Sequence, residues 1–366
     1  DLPRKAHRGP TVAVLEVDEF STPRVAAQVR PRRIVVHNFF RDQLDRYGEL
    51  DTVAAVVGKA LQALPLESIA LLNADDPLVA HLAACCPSPP WFYGLHDLRL
   101  AEGVGQHASD ARYCLACGAK LEYSACYFSH IGLYSCLRCG ARRPRPQVEA
   151  ERVVAYRWEG SEVSLRTPRG CFSLKVPLAG LYNVYNALAA AAVALSLGIA
   201  PQVVQEALAH FRPAFGRGER IRVGDKWLHL LLVKNPTGFN QVLHLLCREA
   251  PPSGLHLLIL INDRIADGRD ISWLWDVDFE GLEGKVARAT VSGTRAWDMA
   301  LRLKYAQIGM EGLQVEEDPA VALRAALEKV PSGGTLWVLP TYTALLDLRK
   351  HLAWQGYTLE FWREEG

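Results

Sequence analysis

The chain has 366 residues, 49% of them apolar and 22% charged, and a formal net charge of +1. That length suits about two domains with separate cores, and the near-neutral balance excludes a broad basic field for nucleic acid. No apolar run reaches membrane-spanning length, and an odd count of nine cysteines argues for a reducing cytoplasm over a disulfide framework.

The chain opens at Asp1 without methionine and enters an apolar run at Thr11, so residues are expected upstream. Val12 to Leu15 reads as a buried strand ending in Glu16, Asp18 and Glu19. Arg33 to His37 reads as a second strand followed by a polar loop, Asn38 to Gly48. Thr52 to Leu64 follows as a helix, and Ser68 to Leu72 as a third strand ending in Asn73-Ala-Asp-Asp-Pro77. This rhythm predicts a doubly wound parallel sheet, whose functional groups gather at the carboxyl ends of the strands.

Between about Arg112 and Arg145 the composition shifts to cysteine, tyrosine, glycine and arginine. Cys114-Leu-Ala-Cys117-Gly118 and Cys136-Leu-Arg-Cys139-Gly140 are two C-x2-C-G knuckles separated by eighteen residues. Four thiolates at this spacing predict a closed tetrahedral zinc site, structural because no coordination position stays open. The glycine after each pair supplies the left-handed turn around the metal. Val153 to Val176 alternates as short antiparallel strands, and Asn183 to Leu197 has the alanine density of a packed helix. Pro201 to Phe211 predicts another helix, opened by proline. Asn183 and Asn186 share a face at a helix start. Their amides could read an adenine edge, or Asn183 could simply cap the helix.

Residues 212 to 219 read as a hinge, after which strands and helices alternate again. Strands are expected at Leu228 to Val233, Leu255 to Ile261, Lys285 to Val291, Leu313 to Val315 and Gly334 to Leu339. Helices are expected at Phe239 to Arg248, Pro319 to Val330 and Tyr342 to Trp354. The stretch Asn262 to Glu280 carries Asp263, Asp267, Asp270, Asp276 and Asp278 with Trp273 and Trp275. So acid-rich and aromatic a loop beyond an apolar strand is either a contact or catalytic surface or a self-contained folded loop.

In order, Leu15-Glu-Val-Asp-Glu19, Arg41-Asp-Gln-Leu-Asp-Arg-Tyr-Gly48, Asn73-Ala-Asp-Asp-Pro77 and Gly180-Leu-Tyr-Asn-Val-Tyr-Asn-Ala187 resemble the central domain of the Mur ligase superfamily. The cysteine insert narrows the resemblance to the MurT-like branch. Lys234-Asn-Pro-Thr-Gly-Phe-Asn240, Asp267-Gly-Arg-Asp-Ile-Ser-Trp-Leu-Trp275 and Pro340-Thr-Tyr-Thr-Ala344 do the same. The resemblance implies an α/β chain in two parts. Residues 1–213 would be an ATPase domain with a zinc-ribbon insert at about 110–146, and residues 214–366 a second Rossmann-like domain.

The implied activity is that of a carbon–nitrogen ligase of peptidoglycan synthesis, acting at the inner face of the membrane. ATP would phosphorylate the α-carboxylate of D-glutamate in lipid II, and ammonia from a glutaminase subunit, GatD, would displace the phosphate. By the same resemblance Glu16 would hold Mg2+. Asn183 and Asn186 would contact adenine, with Asn73 and Asp76 on the nucleotide side, and Arg217 would approach the phosphates. An aspartate of the second domain, Asp270 first and Asp267 or Asp278 otherwise, would complete the glutaminase site by orienting its histidine. Gln43 stands where relatives carry a metal-binding histidine. Lys59 falls near a carbamylated lysine of the family but reads better as a plain surface residue. The family's G-x-x-G-K-T phosphate loop does not occur in this sequence and is expected before Asp1.

Two other readings keep the fold and drop the reaction. One is a zinc-ribbon protein that binds nucleic acid through Arg142, Arg143 and Arg145; the other is a scaffold that holds the glutaminase without making an amide.

Overall fold

The computed structural model describes residues 12–41, 50–101, 110–211, 217–308 and 311–358. In the first part, helix α1 (Thr22–Val29) precedes strand β1 (Arg33–Val36), helix α2 (Leu50–Gln62), β2 (Ile69–Asn73), the short helix α3 (Pro77–His81) and β3 (Trp91–Leu95). After the cysteine lobe come β6 (Val148–Arg157), β7 (Gly160–Thr167) and β8 (Gly170–Val176), then helices α4 (Leu181–Ser196) and α5 (Pro201–Ala209). The strands form one sheet in the order β1-β2-β3-β6-β7-β8. β1, β2, β3 and β6 run parallel, while β7 and β8 return antiparallel as hairpins. The alanine-rich α4 lies on this sheet, burying Val184, Tyr185, Leu188 and Ala192 against Tyr93, Leu95 and Val148.

Two expectations are corrected here. Val12 to Leu15 is not a buried strand, since Val12, Val14 and Leu15 are exposed and none of them lies in a strand. A strand is stabilised by its cross-strand pairs, and among the described residues β1 is bonded only to β2. Asn183 does not cap α4 either. Gly180, at φ 96°, is the cap residue, and Asn183 is already inside the helix.

The cysteine lobe is a hairpin of β4 (Glu122–Phe128) and β5 (Ile131–Ser135), with one knuckle before it and one after. Its outer core gathers Cys114, Leu121, Tyr134 and Cys136 with Ala80 of α3. Its other end, with Tyr127, Phe128 and Ile131, joins the core of the main sheet.

The second part contains β9 (Arg217–Val223), β10 (Lys226–Leu231), helix α6 (Pro236–Glu249), β11 (Leu255–Leu260) and β12 (Val286–Ser292). Helix α7 (Ala296–Tyr305), β13 (Leu313–Val315), α8 (Pro319–Lys329), β14 (Thr335–Pro340) and α9 (Tyr342–Trp354) follow. Its sheet has the order β13-β12-β11-β14-β10-β9, parallel except for β9. The expected hinge is part strand, because Arg217 to Glu219 already belong to β9; residues 212–216 lie outside the described residues. Asn235 caps α6 through Gly238 N–H, and Asp318 caps α8 through Ala320 and Val321 N–H. Trp158, in the β6–β7 turn, packs its ring on Trp337 of β14 at 4.2 Å between centroids, with His229 of β10 edge-on to it. This aromatic contact joins the two sheets.

Candidate functional site

Because β1, β2 and β3 are parallel, the residues after them emerge at one end of the sheet. His37, Asn38 and Phe39 follow β1, and Ala74, Asp75 and Asp76 follow β2. Asn73 Nδ2 donates to Asn38 Oδ1 at 2.9 Å, while Asn73 Oδ1 accepts from Asp75 N–H. Asp76 Oδ2 accepts from Phe39 N–H at 2.9 Å, and Oδ1 caps α3 by accepting from Leu78 and Val79 N–H. The two strand-end turns are thereby laced together.

The start of α4 closes the same cluster. Asn183 Nδ2 donates to Ala179 O at 2.6 Å. Asn183 Oδ1 therefore faces Asn186 and accepts from its Nδ2 at 3.2 Å. That leaves Asn186 Oδ1 to accept from His37 Nε2 at 2.7 Å, so the imidazole proton sits on Nε2 and Nδ1 accepts from Tyr93 O–H at 2.7 Å. One backbone carbonyl thus fixes the polarity of four side chains. Burial lowers the His37 pKa, outweighing the Asn186 bond and the Asp76 charge, so the ring is neutral at neutral pH.

Beneath this rim lies Asp75, fully buried. It accepts from Arg143 Nε at 2.5 Å, from Tyr185 O–H at 2.6 Å and from Leu95 N–H at 2.6 Å. Burial pushes its carboxyl above the ordinary range, against the pull of Arg143 and the two hydrogen bonds. Arg143 also bonds Glu149 and Leu95 O, so this arginine is an internal strut and does not offer itself to a nucleic acid.

The structure therefore gathers Asn73, Asp76, Asn183 and Asn186 around His37–Phe39, which the sequence reading did not single out. Glu16 is exposed on the segment before α1 and has no hydrogen-bond or ion-pair partner among the described residues. The side chain of Arg217 and all of Gln43 lie outside what the structure describes. Lys59 is exposed in the last turn of α2.

The four cysteines converge. Cys114 Sγ lies 3.5 Å from Cys139 Sγ, and Cys117 Sγ lies 3.5 Å from Cys136 Sγ; all four sulfurs fall within 4.8 Å of one another. Zn–S bonds of about 2.3 Å in a tetrahedron require sulfurs about 3.8 Å apart, so the donor set fits zinc. Gly118 and Gly140 take φ 72° and 77°, as the knuckle requires. The N–H groups of Cys139 and Arg138 help bring the Cys136 thiol down to about 6. The Ala141 N–H acts the same way on Cys139, but the crowding thiols prevail and raise it to about 12. Holding all four of these sulfurs as thiolates would require a cation among them. Among the described residues this is the one cluster of three or more metal-ligating side chains, so Glu16 belongs to none.

In the second part, the Asn262–Glu280 stretch folds at the carboxyl end of β11. Asp267 is buried, accepting from Thr343 N–H at 2.8 Å and Thr343 Oγ1 at 2.5 Å. Asp278 is tied to Asn240 of α6 by two hydrogen bonds. Asp270 is exposed and gives one oxygen to Ser272 N–H. Trp273 packs against Phe239, but Trp275 is 51% exposed and stacks edge-on with Tyr305 of α7. Trp297, Leu301 and Tyr305 lie four apart on α7, and all three are exposed, giving an apolar stripe on one helix face. Buried Arg302 anchors the loop by donating to Leu274 O, Val277 O and Glu280. A cavity of about 650 Å3 is lined by Asp263, Arg264, Arg269, Arg295 and Thr343.

The family described as Mur ligase middle domain matches residues 2–115, and that described as MurT ligase C-terminal matches residues 232–345. The MurT subunit of lipid II isoglutaminyl synthase (glutamine-hydrolyzing) from Streptococcus pneumoniae is 30% identical over 96% of this chain and 76% of its own. The same subunit from Staphylococcus aureus is 33% identical over 93% and 74%. Among solved structures, a pseudomurein peptide ligase type C from Methanothermus fervidus superposes with a TM-score of 0.69 at 23% identity, covering 91% of this chain. MurF from Acinetobacter baumannii gives 0.63 at 18% identity over 89%. The chain spans 65% and 62% of those two chains, less than two thirds of each, and the likeness shows a Mur ligase-like α/β fold. No helix among the described residues is long and apolar enough to cross a membrane.

Proposed function

The chain belongs to the MurT branch of the Mur ligase family, and we propose that it is the ligase subunit of a complex that amidates lipid II with glutamine-derived ammonia. The observation that carries this reading is the lacing of Asn73, Asp76 and Asn186 around His37–Phe39 at the carboxyl end of the first sheet. That is where doubly wound sheets bind their ligands, and the relatives' name supplies the reaction.

A carboxylate is a poor acyl donor at neutral pH. In the proposed reaction an oxygen of the D-glutamate α-carboxylate attacks the γ-phosphorus of ATP, and the bond from that phosphorus to the ADP oxygen breaks. Ammonia then attacks the acyl carbon, the C–O bond breaks, phosphate leaves with the electron pair, and the nitrogen gives up a proton. Positioning and charge neutralisation do most of the work in such transfers. Asn183 and Asn186 would hold the adenine, with the free Nδ2 hydrogen of Asn186 as donor. Asn73 and Asp76 shape the turn beneath the nucleotide, and Arg217 would approach its phosphates. Mg2+ would come with the nucleotide and meet Glu16; the described residues assemble no site around it, and no step here runs through it. Zinc at the four cysteines would be structural. We take residues 1–213 and 214–366 as the two domains.

The relatives are named as subunits, so a glutaminase partner of the GatD kind is part of this proposal, as is action on lipid II at the inner membrane face. Asp270 is the aspartate proposed to reach that partner, because Asp267 and Asp278 are committed to internal bonds. The stripe of Trp297, Leu301 and Tyr305 beside Trp275 adjoins the same loop and has the aromatic composition of an interface core. The test is nitrogen transfer. Lipid II incubated with the full-length complex, ATP and glutamine carrying heavy nitrogen in its amide should acquire that nitrogen. Lipid II that stays unlabelled with an active glutaminase present would refute the assignment.

A further inference from the structure

The cysteine lobe reaches into the cluster around Asp76. Its hairpin is anchored at one end by both knuckles, since Cys114 and Cys117 precede β4 and Cys136 directly follows β5. The turn, at Ser129 and His130, is at the other end. A strand of five residues at about 3.4 Å each sets the two ends about 17 Å apart.

At the turn, Ser129 takes φ 49° and His130 is fully buried. His130 Nε2 lies 3.4 Å from Asp76 Oδ2 and has no hydrogen-bond partner. Its Nδ1 lies 3.3 Å from Ser129 Oγ, and its ring sits 5.1 Å from that of Phe40. Two residues on, Gly132 N–H donates to Asp75 O at 2.9 Å. Arg143, four residues past Cys139, closes the third contact through the Asp75 carboxylate. The lobe thus meets the Asn73–Asp76 turn at three points, two from the hairpin end and one, Arg143, from beside the second knuckle.

A buried imidazole nitrogen facing a carboxylate without bonding to it is uncommon. Asp76 Oδ2 already holds Phe39 N–H, so the carboxylate that could complete the bond to His130 is the one that fixes the turn after β1.

We propose that the hairpin turn, with His130 as a positioning residue, sets the placement of the Asp75–Asp76 turn, and that metal loading of the four cysteines and nucleotide binding are coupled through it. The inference rests on the nucleotide reading given above. Coupling of two sites is reciprocal, so nucleotide must hold the metal as firmly as metal helps hold nucleotide.

The test uses the full-length complex with its glutaminase subunit, zinc-loaded, and a non-hydrolysable ATP analogue with Mg2+. Two quantities are read: analogue affinity by calorimetry, and the rate of zinc release to a chromophoric chelator with and without analogue. His130→Phe should keep its zinc, weaken the analogue at least fivefold, the lower end of usual coupling factors, and abolish the analogue's slowing of zinc release. His130→Gln, which keeps an N–H donor, should recover most of the affinity. Wild-type affinity in His130→Phe, or zinc release unaffected by analogue in the wild type, would overturn the proposal. Should His130→Phe fail to fold, the wild-type release assay decides alone. A wild-type complex that does not bind the analogue would instead refute the nucleotide reading.

Discussion

Arg143 places Nε 2.5 Å from the carboxylate of Asp75, joining the end of the cysteine lobe to the turn that follows the second strand of the main sheet. Both groups are withdrawn from water, Asp75 completely. Breaking such a pair from one side leaves a buried charge, which typically costs about 3 kcal/mol or more. Arg143→Gln should therefore lower unfolding free energy by about that amount in urea denaturation.

The loss has a defined pH dependence. The Asp75 carboxyl is raised in the folded protein, so the folded state binds its proton more tightly than the unfolded chain. Its contribution to stability falls as pH rises from the unfolded carboxylate value, about 4, through the folded one. Without Arg143 the folded value rises further. The variant should come closest to wild type at the acid end of that window and fall furthest behind at neutral pH. Equal loss at both ends would place the strain elsewhere.

The aromatic contact between the sheets gives a second pH effect of opposite sign. Burial, helped by Arg220, lowers His229 to about 4, below its unfolded value of about 6.5. Stability contributed by neutral His229 is present above about 6.5 and is lost as pH falls through the folded value. His229→Phe should flatten the stability profile between these limits in thermal melts across pH. An unchanged profile would show that another group carries it.

Cys136→Ser should remove zinc. The wild-type protein is expected to carry about one zinc per chain, and closed thiolate sites of this kind supply folding free energy. The serine variant should lose the metal in elemental analysis, and the lobe should become sensitive to protease at the β4–β5 hairpin. Metal content equal to wild type would exclude the four-thiolate site.

Asp270→Asn should depress amidation driven by glutamine while leaving amidation from free ammonium near wild type. An aspartate that orients a partner's histidine acts on glutamine hydrolysis alone. Parallel loss with both nitrogen sources would move Asp270 into the ligase reaction itself.

How much of this could be read from the chain follows the reach of each interaction. The knuckles were legible because their ligands and turning glycines are local. Asn73 and Asp76 were legible as polar residues at and just beyond the end of a strand. His37 was not, because its partner Asn186 lies 149 residues away and only the packing of α4 brings them together. His130 was missed, and Arg143 was read only as a possible nucleic-acid contact, for the same reason, since composition marked the lobe as a separate insert and gave no sign that its hairpin turn is buried beside Asp76. Val12 to Leu15 was misread because an apolar run signals a strand without saying whether a neighbour exists to pair with it. The capping alternative for Asn183 failed because Gly180, three residues earlier, takes the positive φ that starts the helix.

The reaction itself can be followed through one oxygen. Lipid II carrying heavy oxygen in the D-glutamate α-carboxylate would be turned over by the full-length complex with ATP and glutamine, and the released phosphate analysed by mass spectrometry. Acyl phosphate formation predicts that heavy oxygen appears in the phosphate, one atom for each amide made. Amidated lipid II formed with unlabelled phosphate would contradict the account at its chemical core.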